Sequence, residues 1–493
     1  MSERGDLVIG LDSSTQSTKA IAWTREGEAV AEGRAPIAMS TPRAGRAEQD
    51  VEDWWSAALA ALKDVAATID PARIAGLAIS NQRETVALVD DALRATRPAI
   101  VWLDERAVGE VGRLTSQFGG ERLHRVTGKP PDLTPVVYRL SWLRHHAPDE
   151  LDTAARILDV HGFLTGRLTG RAVASWTSAD PFGVFDIGSR TWSSPILTHL
   201  GLDSTRFADL ERPGALVGLL LDEVAQETGL VPGTPVFAAG GDGQCAGLGV
   251  NAVREGIVFL NLGTAIVTGT WSSTPHISRS WRTMTSPDGE GYFLEGVQRA
   301  GAFLVNWFID TFAGGRDDPG VFTRLETQAA SLPIGSDGVL VCPYLSGCMD
   351  PHWDPDARAA FLELAPHHGL AHLYRASLEA LTLESARCIA TMAANGLSSS
   401  RILAVGGGAN SELWSRMIAD ASGLPLTRSE SLEASSLGAA MSAAVGAGWF
   451  PRFSDAAAAM SREGATFLPD HDLRPAWAAL LERQAKAYRP ISP

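Results

Sequence analysis

A single acid, Asp242, stands among the glycines Gly240, Gly241, Gly243, Gly247 and Gly249, directly after the β-prone run Pro235 to Ala239. Glycine lets backbone approach backbone or ligand closely, so this carboxylate sits where a ligand can reach both it and the main chain. Three further stretches offer matching chemistry. LDSSTQSTK presents Asp12, the hydroxyls of Ser13, Ser14, Thr15 and Ser17, and the cation Lys19. LNLGT presents Gly263 and Thr264, and VGGGAN, Val405 to Asn410, joins a strand-like run to a helix-like one. Phosphoryl chemistry needs unobstructed backbone N–H groups, hydroxyls or a cation for anionic oxygens, and a metal held by carboxylates. Asp12 suits the orienting of a hydrated Mg²⁺, Lys19 suits a phosphate, and the Val405–Asn410 loop admits a phosphate or an adenine ring. One at a time, glycine and serine in tight turns are ordinary turn chemistry, and an aspartate after a strand is a common helix N-cap. Together they point to phosphoryl transfer. No GxxxxGK[ST] occurs, which removes the P-loop class, and Gly241-Asp242-Gly243 with Gly247 puts an acid where a dinucleotide's pyrophosphate would lie, which disfavours hydride transfer.

The elements that must position these residues come as two halves with the same grammar. Leu7–Leu11 and Ala20–Trp23 read as strands around a polar turn, Asp12–Thr18; Ile257–Leu260 and Ile266–Thr270 repeat this around Asn261–Thr264. Two such hairpins half a chain apart predict duplicated domains facing one cleft, 1–250 and 251–493, with the boundary near Gly249 to Glu255. Helical patterns at Val51–Ile69 and Leu370–Ala394 alternate with strand candidates such as Ile74–Ser80, an α/β arrangement. Gly314–Gly320 and Pro451–Gly464 read as surface connections, the latter with a short alanine-rich helix at Ala456–Ala459. A chain of 493 residues, 45% hydrophobic, can bury sizeable cores, and a formal charge of −15 disfavours nucleic acid and anionic membrane as partners. The opening MSERGDLVIGLDSS has no basic stretch before an apolar core, and no apolar run is long enough to span a bilayer, so the expected location is the cytoplasm. Cys245, Cys342, Cys348 and Cys388 lack metal or disulfide spacing and read as reduced thiols, and the pairs His145–His146 and His367–His368 carry no zinc pattern.

LDSSTQSTK, GGDGQCAGLG, LNLGT and GGGANSELWSRMIADASG, in that order along nearly the whole chain, resemble the FGGY family of carbohydrate kinases. The resemblance implies two ribonuclease-H-like (actin/hexokinase-type) domains flanking a deep cleft, with ATP mainly on the second. It also implies that Asp242 is the catalytic base and touches the acceptor. Asp12 and Asp242 would face Mg²⁺, while Ser14, Thr15, Gln16, Lys19, Gly263, Thr264, Gly301, Gly407, Gly408, Ala409 and Asn410 would face ATP. A carboxylate that accepts the acceptor hydroxyl's proton as its oxygen attacks the γ-phosphorus gives the lone acid its chemistry.

The acceptor is the finer question. NQRET, Asn81 to Thr85, is similar to the substrate loop of glycerol kinases, and with WLDER it offers Gln82, Arg83 and Glu84 as hydrogen-bonding groups, Trp102 as an apolar wall and Asp104 as an acceptor. The ordinary alternative for Arg83 and Glu84 is a solvated charge pair. Against glycerol, Thr134 and Gly243 stand where that resemblance would put tyrosine and glutamine, and Arg139 replaces a lysine; the GGGANSE spacing is similar to xylulokinases. The reading is a pocket widened at Thr134 and Gly243 for a ketopentose, D-xylulose first, with glycerol or another polyol second. A non-catalytic ATP-dependent sensor of the actin-like superfamily is the rival of a different class. No coiled-coil heptads mark an interface, and a homodimer is carried as one option. Glu363 stands where the family pattern has glycine, which bears on local loop geometry.

Overall fold

The computed structural model describes residues 5–350, 353–354 and 356–487, so residues 1–4 of the opening stretch lie outside the described residues. In the first half, strands β1 (Leu7–Ser13), β2 (Ser17–Trp23) and β3 (Ala29–Pro36) form an antiparallel meander. Helix α1 (Val51–Thr68) follows, then β4 (Ile74–Asn81), helix α2 (Val160–Thr169), β5 (Leu216–Leu219), β6 (Pro235–Gly241) and helix α3 (Asp242–Gly249). The sheet order is β5-β6-β4-β1-β2-β3, with β4 parallel to β1 and β6 parallel to β4. The second half repeats this with β7 (Ile257–Leu262), β8 (Ile266–Ser272), β9 (Arg282–Thr285) and β10 (Tyr292–Gln298). Helices α4 (Ala302–Phe312) and α5 (Leu370–Ala394) lead to β11 (Arg401–Val405), α6 (Glu412–Ser422), β12 (Leu426–Ser429), α7 (Ala434–Gly446) and β13 (Glu463–Phe467). The order is β9-β10-β8-β7-β11-β12-β13, again a meander followed by two parallel strands.

Both hairpins are longer than their apolar pattern predicts, and their turns shrink to Ser14–Gln16 and Gly263–Ala265. The polar residues expected in the first turn are ladder members: Asp12 faces Lys19 and Ser13 faces Thr18, whose hydroxyl donates to Ser13 Oγ at 3.1 Å. A buried hydroxyl with a partner costs the strand little, so polarity alone misplaces the boundary.

Strand β1 is buried on both faces, as a strand parallel to a neighbour must be. Leu7, Ile9 and Leu11 point into a core with Trp54, Leu62 and Val65 of α1 and Phe163 and Leu168 of α2. Val8 points the other way, into a core with Phe237, Cys245 and Leu248 and with Leu437, Ala440 and Met441 of α7. Thus α7, from the second half of the chain, seals the first sheet. Trp23 Nε1 donates to Ser436 Oγ (3.1 Å), Ser436 Oγ to Gly10 O (2.9 Å) and Ser435 Oγ to Asp242 O (3.1 Å).

Gly314–Gly320 joins α4 to a helix at Val321–Ala330, and Ala456–Ala459 lie in a helix spanning Phe453–Met460. Glu363 adopts φ +61, the left-handed backbone that explains a glycine at this position, and Arg483 Nη2 meets its carboxylate at 2.8 Å. All four cysteines are buried and unbridged. Among the described residues no helix is long and apolar enough to cross a membrane.

Asp159 caps α2 through Oδ1, which accepts from Gly162 N at 2.7 Å, while Oδ2 has no partner and the residue is 4% exposed. Burial pushes its pKa up to about 7 against the opposing Gly162 N–H. Between an unfolded value near 3.8 and about 7 the folded chain holds the extra proton, so stability falls as pH rises through that window. Above it the charged carboxylate costs about 2 to 4 kcal/mol. Asp159→Asn keeps the cap and removes the charge, so urea midpoints should show a gain at pH 8 that shrinks at pH 5.5; a loss at pH 8 would contradict this.

Candidate active site

The turn from β6 into α3 delivers Asp242 as the first residue of the helix, with Gly241 as its cap. Asp242 Oδ1 accepts from Gly243 N at 2.7 Å and lies 3.2 Å from Arg83 Nε. Oδ2 takes no hydrogen bond among the described residues, and the side chain keeps 37% exposure. Loss of hydration raises the Asp242 pKa; Arg83 and the Gly243 N–H oppose this, and Glu84 and Glu295 add to it. Asp12, at the end of β1, accepts from Ser80 Oγ at 2.7 Å. Burial pushes it up to about 6, opposed by Ser80 and Lys19 and helped by the negative charges of Asp242 and Glu433. Asp12 and Asp242 stand at the ends of strands of one sheet, near enough for the charge of Asp242 to act on Asp12, a pairing that suits a hard divalent cation. No cluster of three or more His, Cys, Asp or Glu arranged to hold a metal occurs among the described residues.

Arg83 and Glu84 are not a solvated pair. Glu84 is buried, Arg83 is partly buried, and each is bound to the second half of the chain: Arg83 Nη1 meets Glu295 Oε2 at 2.9 Å, and Arg282 Nη1 meets Glu84 Oε1 at 2.7 Å. Arg282 Nη2 also pairs with Glu295. Burial would raise Glu295, but the two guanidiniums outweigh it and hold its carboxyl at about 2. Beside this lattice, Lys129 pairs with Asp180 and donates to Thr127 O (2.7 Å) and Thr283 O (3.1 Å).

The glycines around Asp242 serve Arg83. A Cβ on Gly241 would lie 2.5 Å from Arg83 Cδ, and one on Gly243 would lie 2.9 Å from Arg83 Nη2 and 3.2 Å from Glu295 Oε2. This corrects the reading of Gly243 as pocket-widening, because the Arg83–Glu295 pair fills the space that a larger side chain would take. Asp104 is corrected too: it is fully buried, with Oδ1 taken by Arg106 N and Nε and Oδ2 by Ala47 N and Arg106 Nη2, so it shapes the loop and leaves no oxygen for a sugar. Gln82 is likewise buried, donating to Gln49 Oε1 (2.9 Å) and accepting from Thr85 Oγ1 (3.2 Å). Trp102 is exposed, with Nε1 donating to Thr15 Oγ1 at 3.0 Å. Arg139 is fully buried and donates to Thr134 O (2.7 Å), Glu84 O (3.2 Å) and Trp102 O (2.7 Å), tying three loops of the acceptor side together. Thr134 Oγ1 donates to Asp132 Oδ2 at 2.9 Å.

In the second half of the chain, Gly301 N donates to Thr264 O (2.9 Å) and Ala302 N to Gly263 O (2.8 Å), so Gly263, Thr264 and Gly301 form one corner at the start of α4. The turn Gly407–Asn410 abuts it: a Cβ on Gly406 would meet Asn261 Oδ1 at 2.6 Å, whereas the face of Gly407 is open. The Ala409 side chain is in the core, which leaves only its backbone for a ligand. Gln16 is exposed at the tip of the first turn, and Ser14 Oγ donates to Ser17 O at 2.8 Å. Lys19 is not free for phosphate as it stands, because Glu433 holds Nζ with both oxygens at 2.7 and 2.5 Å.

Sequence reasoning passed over Arg282, Glu295, Lys129, Asp180 and Glu433. Arg282 and Glu295 carried one usable signal: each is a lone charge in an otherwise uncharged strand, SWRTMT and YFLEGVQ, and a buried charge must have a partner.

The two repeated sheets form a fold of the two-domain actin/hexokinase type. The models of the FGGY family of carbohydrate kinases match here, the N-terminal domain over residues 7–249 and the C-terminal domain over 258–447. The chain belongs to the FGGY family of carbohydrate kinases, whose reaction transfers phosphate to an alcohol group. It is 28% identical to a xylulose kinase of Bacillus subtilis over 466 residues, 94% of this chain and 92% of the relative. It is 26% identical to a gluconokinase of the same organism over 444 residues, 88% and 86% of the two chains. It is 29% identical to a glycerol kinase of Bordetella parapertussis over 512 residues, 98% and 96%. The crystal structure of xylulose kinase from Rhodospirillum rubrum superposes with a TM-score of 0.92 at 27% identity, covering 98% of each chain.

Proposed function

We propose that this carbohydrate kinase transfers the γ-phosphate of ATP to a terminal hydroxyl of a ketopentose, D-xylulose first, with Asp242 as general base. The observation that carries the chemistry is the asymmetry of Asp242: Oδ1 is anchored by Gly243 N and Arg83, while Oδ2 takes no hydrogen bond among the described residues and the side chain stays 37% exposed. An anchored carboxylate with one free oxygen takes the acceptor's hydroxyl proton as that oxygen attacks phosphorus. Arg83 and Trp102 orient the sugar chain, and the Gly263–Thr264–Gly301 corner with Gly407–Asn410 holds the nucleotide, which assigns the acceptor mainly to residues 1–250 and ATP mainly to 251–493. Magnesium bound with the nucleotide would neutralise phosphate charge, and Asp12 and Asp242 are the residues that would hold it. A cytoplasmic location suits the four unbridged thiols.

The acceptor rests on similarity to xylulose kinases and on the small Thr134. The second reading, glycerol or another polyol, is favoured by the Arg83–Glu84 dipeptide. A coupled ADP-release assay over D-xylulose, L-ribulose, D-ribulose, glycerol, erythritol and gluconate is expected to give the highest kcat/KM on a five-carbon ketose, at least about tenfold above glycerol. A maximum on glycerol would select the second reading, and one on gluconate would overturn both.

A further inference from the structure

Glu295 sits in the middle of β10, fully buried, directly opposite Arg282 of β9 in the antiparallel register. Cross-strand partners share a face of the sheet, so this acid and this base project together toward the first half. There they close a circuit. Arg282 reaches Glu84, Glu84 follows Arg83 in the chain, and Arg83 Nη1 returns to Glu295. Strand β9 is pinned at the same place, with Thr283 N donating to Gly128 O (2.8 Å) and Thr285 N to Asp180 Oδ2 (2.6 Å). Glu295 is thereby fixed relative to the loop that carries Arg83.

We propose that Glu295 is a positioning residue for phosphoryl transfer: by holding Arg83 Nη1 it keeps the guanidinium against Gly241 and Gly243, so that Arg83 grips only Oδ1 of Asp242 and leaves Oδ2 clear. The inference rests on the reading of Asp242 as the base. An arginine prefers to take both oxygens of a carboxylate in a forked pair. Arg83 makes one contact here, Nε to Oδ1, because Glu295 and, at 3.2 Å, Gln244 Oε1 hold Nη1 and so fix the guanidinium plane against the turn that a fork through Nε and Nη2 needs. Without the Glu295 charge the guanidinium can turn onto Asp242 and compete with the acceptor's hydroxyl. The second half of the chain therefore contributes to the acceptor-side chemistry through Arg83, without touching the acceptor.

The test uses the full-length enzyme with the acceptor that turns over fastest in the panel above, comparing Glu295→Gln, Glu295→Asp, Asp242→Asn, Arg83→Gln and the Arg83→Gln/Glu295→Gln double variant. Glu295→Gln is expected to lower kcat about ten- to hundredfold, the cost of a misplaced reacting group, with KM for ATP and for the acceptor within about threefold of wild type. In the Arg83→Gln background the same change should lower kcat less than about twofold, because residues acting through one another are not additive. Glu295→Asp keeps the buried charge but draws the carboxylate back by one methylene from Arg83 Nη1, so it serves if Glu295→Gln fails to fold: kcat should fall there too, and a wild-type kcat would overturn the proposal. An unchanged kcat in Glu295→Gln, or equal losses in both backgrounds, would also overturn it while an inactive Asp242→Asn left the base in place. Near-wild-type Asp242→Asn would remove the base and this inference with it.

Discussion

Asp242→Asn is expected to bind ATP and acceptor with KM values within about threefold of wild type while turning over about 10² to 10⁴ times more slowly, the range for removing a placed general base. The substitution is nearly isosteric. Its amide oxygen can still accept from Gly243 N, as Oδ1 does now, and Arg83 stays seated by Glu295, so the backbone turn and the Arg83 seat survive. What is lost is the ability of the second atom, now an amide nitrogen, to receive a proton. Steady-state kinetics with saturating acceptor separate the two effects, and a kcat within about fivefold of wild type would show that the proton goes elsewhere.

The second large effect lies at the seam between α3 and α7. A Cβ on Gly438 would stand 1.9 Å from Cys245 O, and one on Gly249 would stand 2.1 Å from Ala434 O, so the two helices cross with backbone against backbone. Gly438→Ala has no flexible side chain to push aside and must part the helices. We expect a loss of about 3 kcal/mol in urea unfolding, the upper part of the overpacking range. Because α3 begins with Asp242, kcat should fall as well. Gly109→Ala, in the short helix Val108–Leu114 with nothing within 4 Å of its added Cβ, is the control. It should be neutral or stabilising by up to about 1 kcal/mol. Wild-type stability in Gly438→Ala would mean that the seam is looser than described.

The hairpins, the long helix α5 and the β6–α3 turn are legible in the residues because local pattern decides them: apolar alternation, glycine at a turn, apolar spacing over 25 residues. What the pattern misses is set by partners distant in the chain. Glu295 and Arg83 are 212 positions apart, and neither residue says which charge it will meet. Helix α7 reads as a run of small residues, ASSLGAAMSAAVG, and only its fit against Gly10 and Gly249 gives the smallness a purpose. Asp104 and Gln82 show the opposite error. Their types suit a sugar, but Arg106, Ala47, Gln49 and Thr85 satisfy them inside the protein. A motif identifies the loop, and packing decides which of its side chains reach the cleft.

The central claim, that the cleft around Asp242 moves phosphate from ATP to a sugar hydroxyl, is tested most directly by following γ-labelled ATP with D-xylulose and the other panel acceptors and resolving the products. Label is expected to appear in an acceptor phosphate in step with ADP, and Asp242→Asn to slow this by about 10² or more. Label released only as inorganic phosphate, at a rate indifferent to every acceptor, would contradict it.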